Sequence, residues 1–465
     1  MPSVREQLAL EMKYSTGPDS GLRDAAASEN KSLPIHRWVP WIAGFSAQFV
    51  EDAIDKYLPT SKRTRQVVLD PFAGVGTTLV EAIKSGHGAI GYEINPFAAL
   101  VAAAKIACVE VTPIDLRAEV DAFRIAMQRF ESEIDKRYAA DPNADLLATE
   151  DLTRVRPEHF KSRIPFFSPP IEAKFLYALL RTSALLEPDR SLFRAALGGT
   201  MVSYSNYTYE PSLASRPGSG KALIENAPVG LTICRKLDEM LTDIEWARQT
   251  YGHNWLGQRR EIWQTSYFGA DLEEGSVSLV VTSPPYMNNY HYVRNTRPQL
   301  HWLGLIANGG GSQLEHASFG KFWQTVRQGE RVELTFELPG LANSLDELRL
   351  KHPEKRQYGG AGWANYVATY LNDSFRLMKS LQRHLKVGGH AVIVVGNSII
   401  QGIEFPVDRL MAQMAERSRL HVEDIHIVRT KRVGNSIIDS SVRNGDANGH
   451  RKKTQLYDAA VILRK

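Results

Sequence analysis

Cysteine is scarce in this chain. Cys108 and Cys234 are the only two in 465 residues, set in the contexts Ala-Cys-Val and Ile-Cys-Arg, which excludes a disulfide framework and a cysteine zinc site. Long apolar runs are missing as well. The stretch Phe97 to Val109 carries Lys105 and falls well short of the ~20 residues that a membrane-spanning helix needs. The opening MPSVREQLALEMK scatters charge where a secretory signal would be apolar, so a cytoplasmic location is expected. Internal repeats and low-complexity tracts are absent too. With 43% hydrophobic and 23% charged residues, the composition excludes a disordered, collagenous or coiled-coil chain. The length predicts two or three domains at about 150 residues each. A net charge of +4 says little by itself, but residues 425–465 contain nine basic and three acidic side chains. A basic terminal stretch suits a surface that meets phosphates, although a solvated loop and strand end would read the same way.

Residues 1–34 read as a polar leader. From Gln66 onward the pattern alternates: a short buried strand QVVL, a helix over Thr77–Lys84 stopped by Gly86, and a second strand Ala89–Tyr92. Asn95-Pro96 then supplies an N-cap and a first-turn proline for a helix over 96–108. Such a β-α-β-α opening builds parallel sheets. The alternation stops in residues 111–262, which read as a helical insertion. There Leu116, Val120, Phe123, Met127, Phe130 and Ile134 recur at helical spacing, which predicts one long amphipathic helix packed on its own domain. Further helices are expected at 170–186, 189–197 and 231–249, with a turn-rich strip at 203–221. Sheet pattern returns at Val277–Thr282, and a loop-rich excursion over 287–362 follows. A helix at 363–385, a strand at 390–395, a helix at 406–417 and strands near 422–429 and 456–463 close the chain.

The strongest local signal is Asp70-Pro71-Phe72-Ala73-Gly74-Val75-Gly76-Thr77-Thr78, between a strand and a helix. Gly74 and Gly76 let the backbone bend tightly against a ligand, and the helix start at Thr77 and Thr78 offers unpaired N–H groups. Glu93 ends the next strand, where a carboxylate can accept both hydroxyls of a ribose, and Ile94 can cover an adenine face. Together they point to a ribose-containing cofactor. Two other spellings are decoys. Gly86-His87-Gly88-Ala89-Ile90-Gly91 sits after a helix and before a strand and reads as a helix C-cap. Arg216 to Ala222 imitates a phosphate loop but has Ser215 for the first glycine and Ala222 for the final Ser or Thr.

A second signal, Thr282-Ser283-Pro284-Pro285-Tyr286, follows a buried strand. Two prolines hold a rigid turn whose carbonyl oxygens can accept from an amino group; Ser283 adds a hydroxyl, and Tyr286 a face for a planar ring. Ser168-Pro169-Pro170-Ile171 repeats the spelling without tyrosine or strand and is read as a helix start. A nicotinamide-dependent oxidoreductase would use the glycine turn and Glu93 but leaves Thr282–Tyr286 unexplained.

With DPFAGVGTT, GYEINP and TSPPY in this order, the chain resembles the amino-methylating DNA methyltransferases over about 35–108 and 265–465. The resemblance implies a Rossmann-like α/β fold of the class I methyltransferase type: a seven-stranded, mostly parallel sheet with a large helical insertion. Residues 35–110 would form the cofactor half, 111–262 the insertion and candidate target-recognition region, and 263–465 the catalytic half with the loop insertion 287–362. It implies S-adenosylmethionine as cofactor, bound by Asp70, Phe72, Gly74, Gly76, Thr77, Thr78, Glu93 and Ile94. Asp271 is the nearest match to the family's further adenine contact. Catalysis would fall to Ser283, Pro284, Pro285 and Tyr286, with no metal. Serine at 283 is the form associated with cytosine-N4 products in restriction-modification systems, whereas the cofactor-first order is met more often with adenine-N6. An RNA amino-methylase and a catalytically silent DNA-binding homologue are the remaining alternatives. Expected partners are double-stranded DNA with a flipped target base, with a cognate restriction endonuclease as a further candidate. Basic residues interleaved with aromatics give the candidate DNA contacts: Arg216 and Lys221 in the strip Tyr204–Lys221, Arg294 and Arg297 after the proline turn, and Lys431, Arg432, Arg443, Arg451, Lys452 and Lys453 near the C-terminus. His291 and His301 lack metal-ligand spacing.

Overall fold

Short runs that are apolar on both faces make the centre of the molecule a sheet. The computed structural model describes residues 21–41, 44–58, 66–148, 152–157, 160, 162–209, 212–252, 259–288, 290–307, 310–431, 437–438 and 456–465. Seven strands, β1 (Val67–Asp70), β2 (Gly88–Tyr92), β3 (Arg260–Trp263), β4 (Val277–Thr282), β5 (Leu385–Gly396), β6 (His421–Lys431) and β7 (Leu456–Arg464), form it. Their spatial order is β3-β2-β1-β4-β5-β7-β6. Neighbours from β3 through β5 are parallel, while β7 runs antiparallel to both β5 and β6. This is a Rossmann-like, mostly parallel sheet of the kind the resemblance implies. From β1 the chain moves outward to β2 and β3, and from β4 it moves the other way. The β1/β4 boundary is therefore the switch point, outside whose carboxyl ends such sheets bind ligands.

Alternate residues of each strand enter two separate cores. Val68, Leu279, Val281 and Val392 face one layer, and Leu69, Val280 and Ile393 the other, as the two-residue strand period dictates. The first layer contains α1 (Ala47–Tyr57), α2 (Thr77–Lys84), α3 (Pro96–Ala107) and the insertion helices α4 (Pro113–Ala140), α5 (Pro169–Ser183), α6 (Asp189–Thr200) and α7 (Val229–Tyr251). On α4 the six periodic residues Leu116, Val120, Phe123, Met127, Phe130 and Ile134 are the buried ones. Burial of each such side chain contributes about 1.5–3 kcal/mol before entropic losses. Asp243 on α7 clamps the N-terminal segment, accepting from Ile35 N at 2.8 Å, Trp38 Nε1 at 3.0 Å and Arg37 Nη2 at 2.5 Å. Helices α4 to α7 thus share one core with the β1–β2 half of the sheet rather than hanging beside it. The helices α8 (Tyr292–Trp302) and α9 (Gly310–Ala317) pack on the first layer as well, whereas the opposite layer contains α10 (Leu341–Arg349), α11 (Gly360–His384) and α12 (Val407–Arg417). Among the described residues no helix is long and apolar enough to cross a membrane.

Three features differ from the sequence reading. Strand β3 pairs with β2 from Ala89–Arg260 to Tyr92–Trp263, so the sheet takes the chain back at residue 260, inside the range expected for the insertion. An edge strand with one wet face carries no apolar run to announce it. The 287–362 region, expected as loops, contains α8, α9 and α10; Pro298 inside α8 and the glycine run at its far side hid the helical period. Ser398–Ile400, Ile403–Phe405 and Ile437–Ile438 also form a small second sheet.

Candidate active site

The two bends singled out in the sequence close adjacent parallel strands, and hydrogen bonds tie them together. Val68 is in register with Leu279 and Leu69 with Val280, so β1 and β4 end at the same level. Thr282 Oγ1 donates to Asp70 Oδ1 at 2.6 Å, and Thr78 Oγ1 donates to the Val281 carbonyl at 3.2 Å. Asp70, Phe72, Gly74, Thr77, Glu93 and Ile94 line one cleft with Ser283, Pro285 and Tyr286.

On the β1 side the cleft is made by the glycine bend and by Glu93 and Ile94 at the end of the next strand. Gly74 and Gly76 take φ values of +51° and +84°, the left-handed region that other residues enter only with strain. Gly76 faces away from the cleft: a Cβ there would stand 3.0 Å from Ala102 Cβ, so this glycine lets α2 and α3 pack closely. Thr78, fully buried, likewise braces the strands rather than lining the cleft. Glu93 accepts from Gly74 N at 2.9 Å and from Asn95 N at 2.7 Å, bridging the glycine bend and the start of α3. Asn95 caps that helix, accepting from Phe97 N and Ala98 N. Burial pushes the Glu93 carboxyl up to about 7 against those two hydrogen bonds. Burial also pushes Asp70, only 2% exposed, up to about 6, although Thr282 and Phe72 N hydrogen-bond to it.

Side chains make up the β4 side. Ser283 Oγ donates to the Val394 carbonyl at 3.2 Å, and Tyr286 lies over Gly396, where a Cβ would meet the ring at 3.2 Å. Pro284 is buried behind them. Burial raises the Tyr286 phenol far above its ordinary value, so it is a neutral hydroxyl. Tyr366 and Tyr370 on α11 complete this wall, and the Tyr370 hydroxyl is buried with no partner among the described residues. Phe319 meets Phe72 edge-on at 5.0 Å and Tyr370 at 5.3 Å, which joins the two sides. Trp41, Phe268, Tyr292, Phe319, Tyr366 and Tyr370 were not marked in the sequence. They come from five separate segments and share no local motif.

Asp271 requires a correction: it is exposed and does not line the cleft. The wall facing Ile94 is instead Thr265 to Phe268, because the chain turns at the end of β3, a strand the sequence did not reveal. Of the candidate nucleic-acid contacts, Arg216 lines a second cavity beside the cleft and donates Nε to the Ala222 carbonyl at 2.7 Å. Lys221 is exposed. Arg294 and Arg297 are exposed on one face of α8, with Arg297 over the Phe160 ring at 5.4 Å. Lys431 ends β6 opposite Leu456, while Arg432, Arg443, Arg451, Lys452 and Lys453 lie outside the described residues.

His291 packs on Phe322 at 4.0 Å and approaches Glu315 at 3.4 Å. Among the described residues no three His, Cys, Asp or Glu side chains converge as a metal site. Cys108 and Cys234 are buried away from the cleft, their thiols pushed up to about 12 and about 11, unsuited to nucleophilic work.

Residues 20–104, which contain β1, β2 and the glycine bend, match a family model described as DNA methylase. The type II methyltransferase M.AvaI of Nostoc sp. is 23% identical over 422 residues, 88% of this chain and 83% of its own length. M.BsoBI of Geobacillus stearothermophilus, also a type II methyltransferase, is 22% identical over 408 residues, 83% of this chain and 79% of its own. M.MjaII of Methanocaldococcus jannaschii, a third, is 32% identical over 83 residues, 18% of this chain and 15% of its own.

Proposed function

We propose that the chain, which matches a DNA methylase family model over residues 20–104 and is similar to type II methyltransferases over most of its length, transfers a methyl group from S-adenosylmethionine to the N4 amino group of cytosine in double-stranded DNA, within a restriction-modification pair. One observation carries the reading: the glycine bend and the proline bend open into a single cleft from adjacent strand ends. The β1 side suits the cofactor. Glu93 offers a carboxylate for the ribose hydroxyls, Ile94 and Phe268 offer apolar faces for the adenine, and the glycine bend lets the backbone come close. S-adenosylmethionine, when bound, supplies a methyl group already activated by its positive sulfur.

The protein's own task is then positioning. An exocyclic amine shares its lone pair with the ring and is a weak nucleophile. Hydrogen bonds from that amine to Ser283 and to the Pro284 carbonyl turn the lone pair out of the ring plane, while Tyr286 stacks the extruded base. The aromatic wall of Tyr366, Tyr370 and Phe319 keeps water from the reacting atoms. No covalent intermediate is required, consistent with two cysteines buried elsewhere.

Serine at position 283 supports cytosine over adenine, and the cofactor-first order of the bends supports adenine-N6 as the second reading. Incubation with duplex DNA and labelled cofactor, followed by mass spectrometry of the nucleosides, tests both. Labelled N4-methylcytosine is the expected product; N6-methyladenine would overturn the base assignment, and label in RNA alone would overturn the substrate.

A further inference from the structure

Beside the cleft lies a second cavity of about 770 Å³, sharing Trp41, Thr77, Tyr290 and Tyr292 with it as a common wall. Its charge is one-sided. Lys31, Arg37, Lys105 and Arg216 line it and no Asp or Glu does; Arg37 is paired with Asp243 behind the wall, and the other three have no carboxylate partner among the described residues. Lys105 is the telling residue. Only 1% exposed, its ammonium has one long contact, 3.4 Å to the His36 carbonyl. Two more buried side chains on the same cavity have an acceptor without a partner, which a donor such as a water would complete: His36 Nδ1, in a residue 5% exposed, and Gln299 Oε1, in one 4% exposed. Burial pulls the Lys105 ammonium down to about 7, so an anion beside it would restore its full charge, and polar groups left without partners inside a protein mark a place that a ligand or water completes.

The lysines and the arginine on this cavity favour an anion, and the surroundings narrow its source. Tyr290 and Tyr292 follow the proline bend within a few residues, so an occupant of the cavity sits next to whatever ring Tyr286 stacks. Tyr207 and Tyr209, on a short hairpin of the insertion, form another wall. Aromatic and basic side chains around one space suit a nucleotide with its phosphate. We infer that this cavity holds a phosphodiester of the strand carrying the target base, with Lys105 at its floor and Arg216 and Lys31 at its sides. The inference rests on the reading as a DNA methyltransferase and deepens it: the insertion would help grip the distorted strand next to the extruded base.

Lys105→Met and Arg216→Ala, made in the full chain, test it. Methionine keeps the length and apolar stem of the buried lysine, and Arg216 is half-exposed, so at least the second variant should fold as the parent does. Each should lower affinity for a methylatable duplex on the order of tenfold at moderate salt. The slope of log affinity against log salt should also flatten by about one, with S-adenosylmethionine affinity unchanged. Inorganic phosphate should raise the melting temperature of the parent protein and not of Lys105→Met. Unchanged duplex affinity and slope in both variants would overturn the inference, as would a loss confined to cofactor affinity, which would give the cavity to the cofactor's own carboxylate. Absence of methyl transfer to DNA by the parent protein is a separate result that overturns the underlying reading.

Discussion

The two sides of the cleft are built by different means. At the β1 bend a backbone cradle, fixed by positive φ at Gly74 and Gly76 and by Glu93 accepting from Gly74 N and Asn95 N, is joined by the side chains of Glu93 and Ile94 from the same short stretch of chain. At the β4 bend they are side chains, held by Ser283 against the Val394 carbonyl, by Tyr286 over Gly396 and by tyrosines from a helix some eighty residues further on. A backbone cradle tolerates few substitutions but can be built from one short segment. A side-chain wall can be assembled from anywhere and retuned piece by piece. The first suits a cofactor whose shape never changes, and the second suits a target base and its strand.

That contrast predicts separable defects. Tyr286→Ala should have the largest effect, lowering kcat/KM for DNA by roughly 10²–10³ through loss of base stacking and positioning, while S-adenosylmethionine affinity and melting temperature stay close to the parent's. A parallel loss of cofactor affinity would show that the two sides are not independent. Gly76→Ala should do the reverse. Its added methyl must share a φ of +84° and sit 3.0 Å from Ala102 Cβ, so a stability loss of about 1–3 kcal/mol is expected. Weaker cofactor binding should accompany it, as measured by denaturation and calorimetry, and a neutral outcome would mean that α2 and α3 separate freely.

The same contrast explains what was legible. The β1 side lies within Asp70 to Asn95, a segment short enough to be read as a motif, and the long helix α4 announced its six buried residues by spacing alone. The β4 side yielded only its own bend. Phe319, Tyr366 and Tyr370 reach the cleft because α11 packs across the second face of the sheet, a tertiary fact with no local signature. Asp271 was misplaced for a related reason. Without β3, an edge strand of four residues with Trp263 half-exposed, the sequence points to the carboxylate after it, whereas the turn at Ser266 supplies that wall.

The smallest expected effect is a pH dependence confined to the β1 side. Burial raises Glu93 to about 7, so the carboxyl is largely protonated at pH 6 and largely ionised at pH 8. Only the ionised form can accept from both ribose hydroxyls while still accepting from Gly74 N and Asn95 N. Cofactor affinity should therefore be highest above pH 7 and fall as pH drops through that value, by about tenfold for each unit below it at most. Without cofactor the sign for folding is opposite. A carboxyl with a raised folded pKa binds its proton more tightly in the native state, so its contribution to stability declines as pH rises from about 4.5 to about 7. Glu93→Gln removes the ionisation and should flatten both curves, while DNA affinity without cofactor stays unchanged. Calorimetric titration of S-adenosylmethionine at pH 6, 7 and 8 reads the first effect, and a pH dependence that survives in Glu93→Gln would assign it to another group, Asp70 first, since its carboxyl is raised to about 6 in the same bend.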